Sequence, residues 1–416
     1  MRPATYPHPL LSMLAALALL VLLLSGCASH RARHRSNECS APACTVQPKV
    51  AIPVSELAER PDLSWEELPE LQGRPLEIAE ATTVRLLSWD EILALAPRAD
   101  ATNRLLSNPV SSNCAEPADN CIQQSLAWQA KHSAQASIAR AGEAYLGLHE
   151  CYLQNQLLLE ARTGSEKQGR MLDKFRENGV DIPLDSRELK RQELELNSQF
   201  ARLAKEYQTA TTGLELLLNL EHQPTVPLWP TTMQPELSLC DDLPLCLDSA
   251  LKNRADRQAL LTLSCCVETV PLEKINFLAS SFSPWAGLML PLPVKTLLGC
   301  DSEEEEKTIR EKFRQQLCEL IAENEKQIQL DVNLAFARRW EAREQLNLQA
   351  EVLQSLKASL ADQESLQDVE QLDVKEYFQL EQRIAAAKSK LVSAVINKAK
   401  AELELARVIG SLPVQR

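Results

Sequence analysis

The chain has 416 residues and a formal net charge of −13, which excludes nucleic acid as a natural partner. Aromatic residues make up 4% and glycines number 11, and no set of ten-residue alternating segments with aromatic girdles is present, so a self-contained transmembrane barrel is excluded. The dominant signal is helical periodicity, and the expected fold class is all-α with little or no β.

Residues 9–24 form a short apolar run that ends in Leu24-Ser25-Gly26-Cys27. The run is too short and too early to be read first as a membrane span, so residues 1–26 read as a targeting segment. The tetrapeptide has the form of a bacterial lipobox. Small residues admit the signal peptidase, and Cys27 becomes the lipidated first residue. The alternative is an ordinary cleaved signal, because Arg2 is the only charged residue ahead of the run. Ala28 stands where an inner-membrane retention signal carries Asp, which points to the outer membrane. Residues 27–61 are rich in Ser, Arg, Pro and Ala and read as a flexible tether. Its basic stretch 30–35 either rests on anionic headgroups or is simply solvated.

Two long helical units follow, at residues 62–221 and 247–412, with 222–246 as a linker. Each opens on a shorter helix. The first covers 88–106, with Trp89, Ile92, Leu93 and Leu95 apolar; the second covers 247–263. The two share Arg-Ala-Asp, at Arg98-Ala99-Asp100 and Arg254-Ala255-Asp256. A long ascending helix comes next, over 122–178 and over 303–361. The first then turns at Gly179-Val180 and Leu184-Asp185, the second near residues 366–373. Returning helices run to about residues 220 and 410. Rods of about sixty and thirty-six residues are roughly 85 and 54 Å long, lengths suited to bridging a distance.

Both returning arms carry a coiled-coil seam. Leu196, Phe200, Leu203, Tyr207, Ala210, Leu214 and Leu217 step alternately by four and three. Tyr377, Leu380, Ile384, Ala387, Leu391 and Ala394 do the same, meet one polar residue at Lys398, and resume with Ala401, Leu405 and Val408. A mean step of 3.5 keeps one stripe against a partner helix. On the first ascending arm Ile138, Ala141, Tyr145, Leu148 and Tyr152 form a stripe, followed by a polar stretch 160–170 that contains Gly164 and Gly169. The expectation is two tandem long helical hairpins, with ordinary bundle core as the plain alternative for any one stripe.

Twelve cysteines are many for this length. Short spacing suggests Cys39 with Cys44, Cys114 with Cys121 and Cys240 with Cys246 as disulfides in an exported chain. Cys265-Cys266 cannot easily bridge itself, Cys300 and Cys318 require the chain to fold back, and Cys151 reads as a small core residue. No metal spacing of Cys or His stands out, and no metal or cofactor is expected.

In this order and spacing the motifs resemble the TolC-type outer-membrane efflux family. The likeness covers roughly residues 87–412. It rests on Gly179-Val180 with Leu184-Asp185, on Leu372-Asp373-Val374, and on the arm ends Leu216-Leu217-Leu218-Asn219 and Arg407-Val408-Ile409-Gly410. The opening 247–256 of the second unit adds to it. The resemblance implies a homotrimer whose helices line a periplasmic tunnel, a periplasmic adaptor and an inner-membrane pump as partners, and two strands per repeat in a shared outer-membrane barrel. The chain departs from the family there. Residues 107–120 offer a polar loop, and residues 272–300 offer two short apolar runs interrupted by prolines.

No phosphate loop, nucleophile elbow or catalytic pair rises above chance, so an enzyme is not expected. The turns gather carboxylates, among them Asp181 and Asp185 in one tip and Asp368 and Asp373 in the other. In a trimer these would form an entrance ring that attracts cations; solvated loop charge is the alternative. The acidic run 303–306 needs no function, since negative charge is favoured at a helix N-terminus. The sequence reading is therefore an outer-membrane lipoprotein of an efflux or secretion system, forming a periplasmic conduit or scaffold. Its rival is a coiled-coil tether or accessory subunit without a channel. A periplasmic adaptor fits less well, because it needs one hairpin between β-rich halves.

Overall fold

The structure is a computed structural model that describes residues 85–107, 117–177, 186–221, 228–230, 237, 239, 241–270, 303–367 and 374–414. All of them belong to one compact unit, Glu56–Arg416.

A short strand, β1 (Arg85–Leu87), leads into α1 (Trp89–Ala99). Ser88 starts this helix through a capping box. Its hydroxyl accepts the Glu91 N–H at 3.3 Å, and the Glu91 carboxylate accepts the Ser88 N–H at 2.7 Å. Sequence periodicity runs on to residue 106 as one helix, but the structure breaks it at Asp100, where ψ is 115°. The Asp100 carboxylate accepts the N–H groups of Thr102 and Asn103 and so caps a second helix, α2 (Ala101–Ser107). The second unit repeats this plan: α5 (Leu243–Asn253) and α6 (Ala255–Cys265) are separated at Arg254, where ψ is 123°. The linker helix α5 thus begins four residues before the expected boundary. The break falls on the last residue of one Arg-Ala-Asp and the first of the other, so the shared tripeptide does not mark equivalent positions.

The long arms are α3 (Pro117–Glu177) and α4 (Ser186–Leu218) in the first unit. In the second they are α7 (Glu303–Gln367) and α8 (Val374–Val408). The ascending arms have 61 and 65 residues and the returning arms 33 and 35. Helix α7 runs six residues past the expected end, and α3 starts five residues early, on a proline whose missing N–H costs nothing in a first turn. The returning arms stop alike. Asn219 takes φ 51° and Gly410 takes φ 72°. The next N–H reaches back five residues in each, from Leu220 to Glu215 at 2.8 Å and from Ser411 to Ala406 at 2.9 Å. This is one left-handed helix stop used twice.

Helix α4 packs on α3, α3 on α8, and α8 on α7, so the long rods form a layer in the order α4, α3, α8, α7. The short helices α1, α2 and α6 pack on α3, while α5 and α6 pack on α7. Strand β2 (Leu228–Pro230), inside the expected linker, pairs in parallel with β1. The Tyr145 and Tyr207 hydroxyls donate to the Leu87 and Leu228 carbonyls and fix this ribbon onto α3 and α4.

The seams read from sequence are the core. Ile138, Ala141, Tyr145, Leu148 and Tyr152 are all at most 1% exposed. Leu203, Tyr207 and Leu214 of α4 join them in one cluster, together with Ile396 and Leu403 of α8. In the second hairpin Ile384, Ala387, Leu391 and Ala394 face Leu346 and Leu353 of α7. Each fully buried Leu or Ile removes enough apolar area from water for about 1.5–3 kcal/mol. Lys398 sits 9% exposed in the seam, with its amine 3.8 Å from the Glu402 carboxylate of the same helix. Gly142 is needed where α3 meets two neighbours, because a Cβ there would lie 2.7 Å from Leu403 and 2.8 Å from Trp89.

Candidate functional site

The residues proposed from sequence for the hairpin tips lie mostly outside the described residues. These are Gly179, Val180, Asp181, Leu184, Asp185, Asp368, Leu372 and Asp373, as is the lipidation candidate Cys27. Val374 opens α8. The helix ends that lead to the tips carry exposed carboxylates at Glu177, Asp362 and Glu364.

What the structure does build is a wall. The joint between its two hairpins, α3 against α8, adds a polar ladder to apolar packing, in which Leu153 and Leu157 of α3 close on Val392 of α8. Gln168 Nε2 donates to Glu381 at 2.8 Å, and Lys388 Nζ to Glu160 at 2.8 Å. Further along, Gln154 Nε2 donates to the Ser389 carbonyl at 2.9 Å, and Ser389 Oγ returns a bond to Gln154 Oε1 at 2.7 Å. Glu150 accepts from Ser393 at 2.9 Å and from Lys400 at 3.3 Å. Numbers fall on α3 as they rise on α8, so the helices run antiparallel. This ladder explains the polar stretch 160–170, which stays helical through Gly164 and Gly169. Its half-exposed pairs contribute no more than about 1 kcal/mol each, so the apolar seams carry most of the stability and the ladder sets the register.

Beside the ladder lies an open groove of roughly 680 Å³ between α7 and α8, with Glu143 of α3 on its rim. Its walls are polar and of mixed sign, among them Arg338, Glu341, Lys390, Asn397 and Glu404. Among the described residues no group of three His, Cys, Asp or Glu side chains is placed to hold a metal ion, and no helix is long and apolar enough to cross a membrane.

A charged cluster locks the α5–α6 break. Arg254 donates to Asp256 at 2.6 and 3.0 Å and to Asp331 of α7 at 2.8 Å. Arg257 reaches Glu325 of α7 at 2.6 and 2.8 Å. Burial pushes the Asp256 carboxyl up, but the Arg254 hydrogen bonds and charge outweigh it and hold the group below the usual carboxylate range. Gly410 rests on this break, where a Cβ would lie 2.9 Å from the Asn253 backbone. Sequence reading noticed Arg254 and Asp256 as part of a repeat, without seeing that they form an ion pair across a helix break.

The cysteine reading is corrected in one place. Cys121 bonds to Cys266, 145 residues away with the Cα atoms 6.1 Å apart, and not to Cys114. Cys121 lies inside α3, where it faces the end of α6. Cys39, Cys44, Cys114, Cys240 and Cys300 lie outside the described residues. Cys246 is buried between α5 and α7, and Cys318 is exposed on α7. Cys151 is a core residue, 7% exposed, and burial pushes its thiol up to about 12.

No family model matches the sequence, and no curated protein matches it. Solved structures do. The open-state MtrE outer membrane channel of Neisseria gonorrhoeae matches over 79% of this chain and 91% of its own, at 12% identity and a TM-score of 0.52. CusC, described with transmembrane channel formation, matches over 80% of this chain and 91% of its own, at 14% identity and a TM-score of 0.51. The CmeC outer membrane channel of Campylobacter jejuni is covered over 66% of its length by 71% of this chain, at 11% identity and a TM-score of 0.48. At these identities the likeness is one of fold.

Proposed function

We propose that this chain, whose fold is that of the TolC-type outer-membrane channels, is the outer-membrane component of an efflux or secretion assembly. It conducts or scaffolds and performs no covalent chemistry. The observation that carries this reading is the layer of four alternating rods built from two hairpins of matched length. Such a layer is one sector of a tubular wall.

Its edges support self-association. Helices α4 and α7 have no long helix on their far sides among the described residues. On α7, Leu330, Leu334, Leu348 and Val352 are exposed by 47–52% and share one helical face; on α4, Leu194 is 59% exposed. Joining α7 of one copy to α4 of the next is a head-to-tail contact, which closes into a ring when the rotation allows. We take the ring to be a homotrimer, with a periplasmic adaptor and an inner-membrane pump as partners. Cys27 carries the lipid that holds it to the outer membrane, and 27–61 is the tether. The tip carboxylates Asp181, Asp185, Asp368 and Asp373 are its entrance ring.

Chain length limits the pore. A membrane-spanning strand needs about 9–11 residues, so a there-and-back crossing needs about twenty plus a turn. Only the nine positions 108–116 separate α2 from α3, whereas positions 271–302 are enough for one hairpin. Three copies would then supply about six strands, fewer than the eight of the smallest barrels. The same limit favours the second reading, a structural lipoprotein without channel activity.

The test is reconstitution of the purified protein alone into planar bilayers. We expect no large stable conductance, and release from membranes when Cys27→Ser blocks fatty-acid incorporation. Steady cation-selective steps that shrink in Asp185→Asn or Asp373→Asn would restore a full channel. Absence of labelled fatty acid at Cys27 in the native host would end the anchor reading.

A further inference from the structure

We infer that Cys121 and Cys266 are a post-export oxidation site, and that their bond ties the two repeats together where α3 begins and α6 ends. The inference rests on the export half of the proposed function, because such a bond persists in an oxidising compartment. Three observations place it.

The first is position. Cys121 lies four residues into α3, and Cys266 is the residue that caps the C-terminal end of α6. No other covalent tie joins the two repeats among the described residues. The second is burial. Cys266 is 2% exposed and packs with Leu263, Val267, Val270, Phe313 and Leu317, while Ile122 and Leu126 of α3 close the cluster. A sulfur there is shielded from exchange once oxidised, and the apolar packing brings the two thiols together beforehand. The third is that the turn after Cys266 is clamped from the other side. Arg310 of α7 donates to the Val267 and Val270 carbonyls, and Arg314 pairs with Glu268. With α7 holding one flank and the disulfide the other, the end of α6 is tied to both long arms.

The chemistry balances simply. The two thiols give up two protons and two electrons as the S–S bond forms. A protein disulfide of a thiol–disulfide oxidoreductase, or a small disulfide, accepts them and is left as two thiols. The chain is thus the dithiol substrate of an oxidant in the compartment to which it is exported.

The experiment uses the full-length protein isolated without reductant. After blocking thiols and proteolysis, mass spectrometry should find the Cys121 peptide joined to the Cys265-Cys266 peptide. The link should survive Cys265→Ser and vanish in Cys266→Ser. Reduction should then raise amide hydrogen exchange on the order of tenfold in residues 117–126 and 260–270, with the Leu346–Leu391 seam unchanged. Recovery of Cys121 and Cys266 as blocked thiols, or a link that follows Cys265, would overturn the assignment. So would exchange in 117–126 and 260–270 that ignores reduction. A solid particle with the bond intact would instead reject the conduit, and a hollow ring with free thiols would reject only the tie.

Discussion

Single side chains decide where this fold is strong. Leu203 is 9% exposed between α4 and α3, and Leu391 is 3% exposed between α8 and α7. Removing three carbons from such sites leaves a cavity, and Leu203→Ala and Leu391→Ala should each cost about 2–5 kcal/mol in thermal or urea unfolding. Surface-sized changes would mean that the seams are misplaced. Asp256 gives a pH signature. Its unfolded value is near 3.9 and its folded value is lower, so its stabilisation is complete above about pH 5 and is lost as pH falls through the folded value. Urea midpoints should therefore separate wild type from Asp256→Asn by a constant amount near neutrality, and the gap should close in acid. A gap that widens in acid would contradict the Arg254 pairing.

At the scale of the helix, the stops and breaks show what sequence makes visible. The 3.5-residue seams of α4 and α8 were legible because a buried stripe needs that spacing and nothing else sustains it over so many turns. The arm ends at Asn219 and Gly410 were found as matching motifs, and the structure adds their reason, a shared left-handed stop. An Ala at Gly410 would hold φ near 72° and press its Cβ into the Asn253 backbone. Gly410→Ala should cost about 1–3 kcal/mol in thermal unfolding, whereas Asn219→Gly should be near neutral. Equal effects at the two sites would argue against the shared stop. Other features were hidden for physical reasons. The break at Asp100 depends on a side chain choosing to cap α2 over continuing α1. The α3–α8 ladder was illegible because Glu150, Gln154, Glu160 and Gln168 look like any solvated face until a partner is placed opposite. The Cys121–Cys266 bond joins positions that only the packing of α6 on α3 brings together. The tip residues other than Val374 lie outside the described residues.

At the scale of the molecule, two hairpins share a joint that combines apolar packing with a polar ladder, and among the described residues they leave two long edges open. That arrangement suits a stave: each seam resists bending, and the joint fixes how adjacent hairpins are aligned. The central claim is that copies of this stave close into a tube in the periplasm. Single-particle imaging of the detergent-extracted, full-length protein tests it most directly. End views are expected to show a hollow ring with threefold symmetry, in which α7 of one copy lies against α4 of the next. A solid rod, or single hairpin pairs with no ring at any concentration, would contradict it.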